Sequence, residues 1–114
     1  MAEKILSNKQ INIAVKKIAQ QAKDDNMPIA KAFMFGSYAQ NKAKKYSDLD
    51  LCFVSPSFKD TFKAEVYLRT KFHSKDIGLN VPVDIIAYNL EDFKDITIPL
   101  VYEIKKYGRE IKLN

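Results

Sequence analysis

The sequence predicts an α+β domain, a small mixed β-sheet flanked by helices. Three observations carry this. Short apolar runs at 29–35, 48–54 and 81–88 have the length and patterning of strands. Stretches with helical spacing lie around them, at 5–25, 58–73 and 89–107. Breaker clusters separate the two kinds of segment: Asp24-Asp25-Asn26 with Pro28, then Ser55-Pro56-Ser57, then the loop from Ser74 to Asn80 with Gly78. The 114 residues make a single domain, 1–114, with one modest core and no repeats or linker.

The first helix rests on Ile11, Val15, Ile18, Ala19 and Ala22, with Ser7 or Asn8 as cap. Ile29 to Phe35 is the first strand, ending at Gly36-Ser37, and a short helix is expected from Tyr38 to Lys44. In the second strand, from Asp48 to Val54, Leu49, Leu51 and Phe53 alternate with Asp48, Asp50 and Cys52. The next helix takes Phe58, Phe62, Val66, Leu68 and Phe72 as its apolar set, and His73 falls at its end or on the surface. Val81 to Tyr88 is the third strand. The last helix starts at Asn89 as cap, with acids in its first turn, and ends at Gly108; Pro99 kinks it or splits it in two. Arg109 to Leu113 adds a short edge strand.

The chemistry concentrates between the first two strands. Gly36 lets the backbone turn tightly and approach a ligand closely, since it lacks a Cβ. Ser37 is placed to cap a following helix, and amides at a helix start attract phosphate. Asp48 and Asp50 point to one face with Cα atoms roughly 6–7 Å apart, a spacing that suits shared hard cations. A phosphate cradle beside a carboxylate pair is the equipment of phosphoryl or nucleotidyl transfer. Asp84 lies inside an otherwise apolar strand, where an unpaired charge is costly. A structural ion pair is the alternative reading for it.

Gly36-Ser37, ten residues (38 to 47), then Asp48-x-Asp50 resembles the Gly-Ser-x10-Asp-x-Asp signature of the polymerase-beta-like nucleotidyltransferase superfamily, and the small size resembles its minimal nucleotidyltransferases. The resemblance implies that fold, a third carboxylate at Asp84, and Asp48, Asp50 and Asp84 as catalytic residues holding two Mg²⁺ ions. It implies ATP as substrate, with Gly36 and Ser37 on the phosphates. Where the family often has Ala-Arg-Gly, this chain has Ala39-Gln40-Asn41. Asn41 tolerates the left-handed backbone that glycine would adopt. Gln40 removes a cation near the phosphates, and Lys42 is the candidate to replace it.

Composition narrows the rest. Apolar content of 46% suits a soluble globular chain. No apolar run approaches the ~20 residues of a membrane span, and the N-terminus lacks a signal-peptide core, so the cytoplasm is the default location. The single Cys52 excludes an intramolecular disulfide and reads as a small core side chain, and with His73 the only histidine there is no zinc set. Nineteen basic against 14 acidic residues give a net charge of +5. The lysines are scattered and no RNA- or DNA-binding motif accompanies them, which argues against nucleic acid and for solvated surface. Basic charge near the site also draws in an anionic nucleotide. There is no Gly-x-Ser-x-Gly elbow, no Cys–His pair and no Walker-type loop.

The expected activity is a Mg²⁺-dependent transfer of AMP from ATP to a hydroxyl. A chain this short leaves no room for an acceptor-binding domain, so a protein acceptor is favoured. Minimal nucleotidyltransferases resemble antitoxins that add AMP to a tyrosine of an all-helical HEPN ribonuclease toxin, which makes such a toxin the expected partner, in a homo- or hetero-oligomer. The alternatives are an antitoxin acting by complex formation alone, and a nucleotidyltransferase acting on a small molecule or RNA.

Overall fold

The computed structural model describes residues 5–45, 47–71, 79 and 81–113. The elements run α1 (Asn8–Asp24), β1 (Lys31–Phe35), β2 (Leu49–Val54), α2 (Thr61–Lys71), β3 (Val83–Tyr88), α3 (Leu90–Lys94), α4 (Pro99–Tyr107) and β4 (Arg109–Ile111). Among the described residues the strands form one sheet in the order β3-β2-β1-β4. β1 is antiparallel to both β2 and β4, whereas β2 and β3 are parallel. The sheet is therefore mixed, and the short strand after Gly108 is an edge strand, as expected.

Strand alternation divides the apolar residues between two cores. Leu49, Leu51, Phe53, Ile85 and Ala87 face a larger core closed by Ile11, Ala14, Val15 and Ile18 of α1 and by Ala64 and Leu68 of α2. Phe33, Phe35, Cys52 and Val54 face a smaller one closed by Phe93 of α3 and by Val101 and Ile104 of α4. Cys52 is fully buried, and burial pushes its thiol up to about 12, so it packs as an inert small side chain.

α1 starts at a capping box. The Gln10 amide donates to Ser7 Oγ at 3.1 Å and the Ser7 amide donates to Gln10 Oε1 at 2.8 Å. It ends where Asn26 turns left-handed at φ 64°. Asn89 caps α3 by accepting from the Asp92 amide, and the expected long last helix is split in two. Pro99 opens α4 at a position where its missing N–H costs nothing.

Two expectations fail. Tyr38 to Lys44 is not a helix: residues 36–41 form a single turn. Asn41 goes left-handed at φ 58° and the Lys42 amide donates back to the Ser37 carbonyl at 2.8 Å, the closure that normally terminates a helix. α2 also presents a different face. It begins at Thr61, with Asp60 accepting from the Lys63 amide, so Ala64 and Leu68 carry the burial. Phe62 is 74% exposed and Val66 faces solvent as well, while Phe58 is buried in the turn ahead of the helix. The strands are shorter at their starts than expected, β1 by two residues, β2 by one and β3 by two. Tyr46, Phe72, His73 and Gly78 lie outside the described residues.

Candidate active site

The topology brings three chain segments to one rim of the sheet. β1 ends there, and because β2 is antiparallel to it and β3 parallel to β2, both of those strands begin there. Phe35 is the register partner of Asp50, and Asp50 of Asp84. Register partners on adjacent strands point to the same face, so Asp50 and Asp84 stand side by side on the α4 side of the sheet. Asp48, two residues earlier, lies exposed on the approach to β2. Its local conformation is set by Ser47, whose Oγ accepts from the Lys44 amide at 2.8 Å while its own amide donates to the Lys44 carbonyl at 2.9 Å.

Gly36 lies against the Asp50 carboxylate. It has φ 70°, and a Cβ added there would lie 3.2 Å from the Asp50 carboxyl carbon and closer still to Oδ2. Both the backbone conformation and the space require glycine. The turn that follows is compact: the Gly36 carbonyl accepts from the Ala39 amide at 3.1 Å and the Gln40 amide at 3.3 Å. Tyr38 is buried, and its hydroxyl accepts from the Leu6 amide at 3.2 Å, which pins the turn to the segment leading into α1. Ser37 is half-buried in the turn; Gln40 and Lys42 are exposed beside it.

The electrostatics single out Asp50. Burial first, then the charges of Asp84, Asp48 and Glu103, push its carboxyl up to about 6. Carboxylates held close enough to repel one another, on oxygen ligands only, form the donor set that a hard divalent cation takes. Among the described residues no three ligating side chains are already drawn round one point. Asp84 Oδ1 instead receives Arg69 Nη2 at 2.9 Å, the ion pair that stood as the alternative reading for this residue. A carboxylate has two oxygens, so the ion pair and cation binding are compatible.

Two contributors to the site were not read from the sequence. Glu103 of α4 adds to the negative charge around Asp50. Arg69 of α2 meets Asp84, and the only trace of it in the sequence is the Glu65/Arg69 spacing on a helix face.

The profile of the nucleotidyltransferase domain matches residues 15–111. A probable protein adenylyltransferase, MntA of Haemophilus influenzae (strain ATCC 51907 / DSM 11121 / KW20 / Rd), is 39% identical over 82 residues, which are 72% of this chain and 68% of that protein. Among solved structures, a toxin–antitoxin with AMP-PNP superposes with a TM-score of 0.59 at 19% identity, over 87% of this chain and 73% of the other. A MntA–HpeT toxin–antitoxin mutant gives 0.58 at 19% identity, over 86% and 72% of the two chains. A putative nucleotidyltransferase from Sulfolobus solfataricus gives 0.53 at 22% identity, over 75% and 74%.

Proposed function

This chain belongs to the nucleotidyltransferase domain family, and we propose that it moves AMP from ATP to a tyrosine hydroxyl of a helical HEPN toxin, acting as the antitoxin of the pair. The observation that carries the reading is the pairing of Asp50 with Asp84 while the bare backbone of Gly36 lies against the Asp50 carboxylate. A protein acceptor is supported by the name of the Haemophilus relative, a probable protein adenylyltransferase. A nucleotide substrate and a toxin partner are supported by the toxin–antitoxin neighbours, one of them with AMP-PNP.

In this reading Asp48, Asp50 and Asp84 hold two Mg²⁺ ions, which when bound offset the phosphate charge and favour the ionised acceptor. The Gly36–Ser37 backbone and the Ser37 hydroxyl hold the β- and γ-phosphates, with Lys42 beside them. The tyrosine oxygen attacks the α-phosphorus in line. The bond from that phosphorus to the bridging oxygen breaks, and pyrophosphate leaves. Asp84 assists loss of the phenolic proton, which passes to solvent. The site lies at an open rim of the sheet, where a macromolecule can bring its own hydroxyl to the nucleotide.

The test is mass spectrometry of the protein encoded beside this gene after incubation with Mg²⁺ and ATP. One or more additions of AMP on tyrosine are expected with the wild type and none with Asp48→Asn or Asp50→Asn. Turnover by either variant within about threefold of wild type sinks the two-metal site. Gln40, in place of the family's arginine, favours one other reading, neutralisation by complex formation alone. That reading wins if the toxin stays unmodified yet is inhibited equally by wild type and Asp84→Asn.

A further inference from the structure

Arg69 reaches the carboxylate cluster from the opposite side of the sheet. α2 packs on the larger core, and β3 is the edge strand between it and the carboxylate face. The Arg69 side chain passes round that edge. Its Nε donates to the Ile85 carbonyl at 3.0 Å and its Nη2 to Asp84 Oδ1 at 2.9 Å. One turn earlier Glu65 Oε2 accepts from the Ala87 amide at 3.2 Å, and Glu65 Oε1 lies 4.0 Å from Arg69. Two side chains of one helix thus occupy the outward backbone groups of β3, and one of them also grips the side chain of Asp84.

The pair contributes little as an ion pair, because both side chains are 48% exposed. Its content is geometric. The guanidinium is a rigid fork, and with one prong fixed on the strand backbone the other can hold a carboxylate oxygen in only one place. A lysine carries the same charge without that orientation.

We propose that Arg69 is a positioning residue of the site: it fixes Asp84 by one oxygen so that the other can share a divalent cation with Asp50. The proposal rests on the nucleotidyltransferase reading and names a residue which that reading does not use. In this role Arg69 acts through Asp84 and not on the nucleotide or the acceptor.

Arg69→Lys and Arg69→Gln, compared with wild type, test it by Mn²⁺ binding followed by electron paramagnetic resonance, with and without a non-hydrolysable ATP analogue. Mn²⁺ affinity is expected to fall on the order of 10-fold in both variants, the size typical of lost ligand support. AMP transfer should lose kcat with the ATP KM little changed, and Arg69→Lys should have no further effect on Mn²⁺ in an Asp84→Asn background. Wild-type Mn²⁺ affinity in Arg69→Lys means that charge alone matters, and tighter binding in Arg69→Gln means that Arg69 merely competes with the cation. Either result overturns the proposal, and the lysine variant decides it even if the glutamine variant does not fold. Mn²⁺ binding that Asp48→Asn and Asp50→Asn leave untouched removes the metal site itself, and the role of Arg69 with it. Binding that depends on both aspartates but ignores Arg69→Lys removes only the role of Arg69.

Discussion

A methyl group at position 36 would take the space in which the Asp50 carboxylate sits, on a backbone at φ 70° that side chains rarely adopt. Gly36→Ala should therefore lose ATP binding by calorimetry, whereas Ser37→Ala should weaken it less, since the turn's amides remain. The reverse ranking would show the phosphate contact to be misplaced. Asp50 makes the complementary case. Its carboxyl is raised to about 6, so folding disfavours its charge, and this cost to the folded state appears as pH rises from the ordinary value of 3.8 through about 6. Asp50→Asn should stabilise the protein at neutral pH in the presence of a chelator, by about 1–2 kcal/mol after allowing for solvent screening. That corresponds to roughly 4–8 °C per kcal/mol in a melting experiment. A lower melting point in the variant would mean that the carboxylate is structural. Gly36 and Asp50 were legible because their chemistry is local, a special backbone and a period of two, whereas the meeting of Asp84 with Asp50 was expected from the family resemblance. Arg69 and Glu103 were not legible, because their meaning depends on which strand edge and which face their helices meet.

At the scale of elements, α2 shows where periodicity runs out. A sequence with Phe58, Phe62, Val66 and Leu68 offers a wide apolar stripe, yet the buried positions are Ala64 and Leu68. The helix is rotated so that Glu65 and Arg69 lie over the β3 edge and meet its Ala87 amide and Ile85 carbonyl, while Phe62 and Val66 stay exposed. The far end of α2 is fixed to α1 by a second polar staple. Tyr67 donates its hydroxyl to Asp25 Oδ2, and Lys71 Nζ lies 2.9 Å from the same oxygen. The Tyr67 bond, then Lys71, hold Asp25 below the usual carboxylate range; burial, then Asp25, push the Tyr67 hydroxyl above its own. The two signs differ. The Asp25 contribution is complete above 3.8 and is lost as pH falls through the depressed value. The Tyr67 contribution is complete below 10.0 and is lost as pH rises through the raised one. Tyr67→Phe should thus be less stable than wild type across the neutral range, and the gap should close toward both acid and alkali. Denaturant titrations at the three conditions check this, and a gap independent of pH would mean that the staple contributes only packing.

For the whole molecule, the α+β class and the order of elements followed from alternating periods and breakers, and the mixed sheet with its late edge strand agrees with them. The turn after Gly36 was mistaken for a helix because Tyr38 to Lys44 contains no proline or glycine to stop one. The stop is supplied by Asn41 in a left-handed conformation, the tolerance expected of that residue standing in for the family's glycine. Among the described residues no helix is long and apolar enough to cross a membrane.

The parallel pairing of β2 with β3 also has a consequence in time. β1 and β2 can meet across the short stretch 36–48, but a parallel strand cannot follow its neighbour directly. The chain must first complete α2 and come back before Asp84 can reach Asp50. Contacts between residues far apart in sequence form slowly, because the loop between them must be closed before anything rewards it. While the chain is being synthesised, the turn after Gly36 and the Asp48–Asp50 stretch therefore precede the strand that carries Asp84. Arg69 and Asp84 follow on α2 and β3, which meet through the Arg69 and Glu65 contacts. The β1–β4 pairing, Ala32 with Ile111, closes later still, so a chain clipped before β3 keeps the Gly-Ser and Asp-x-Asp stretch without the Asp84 that pairs with Asp50.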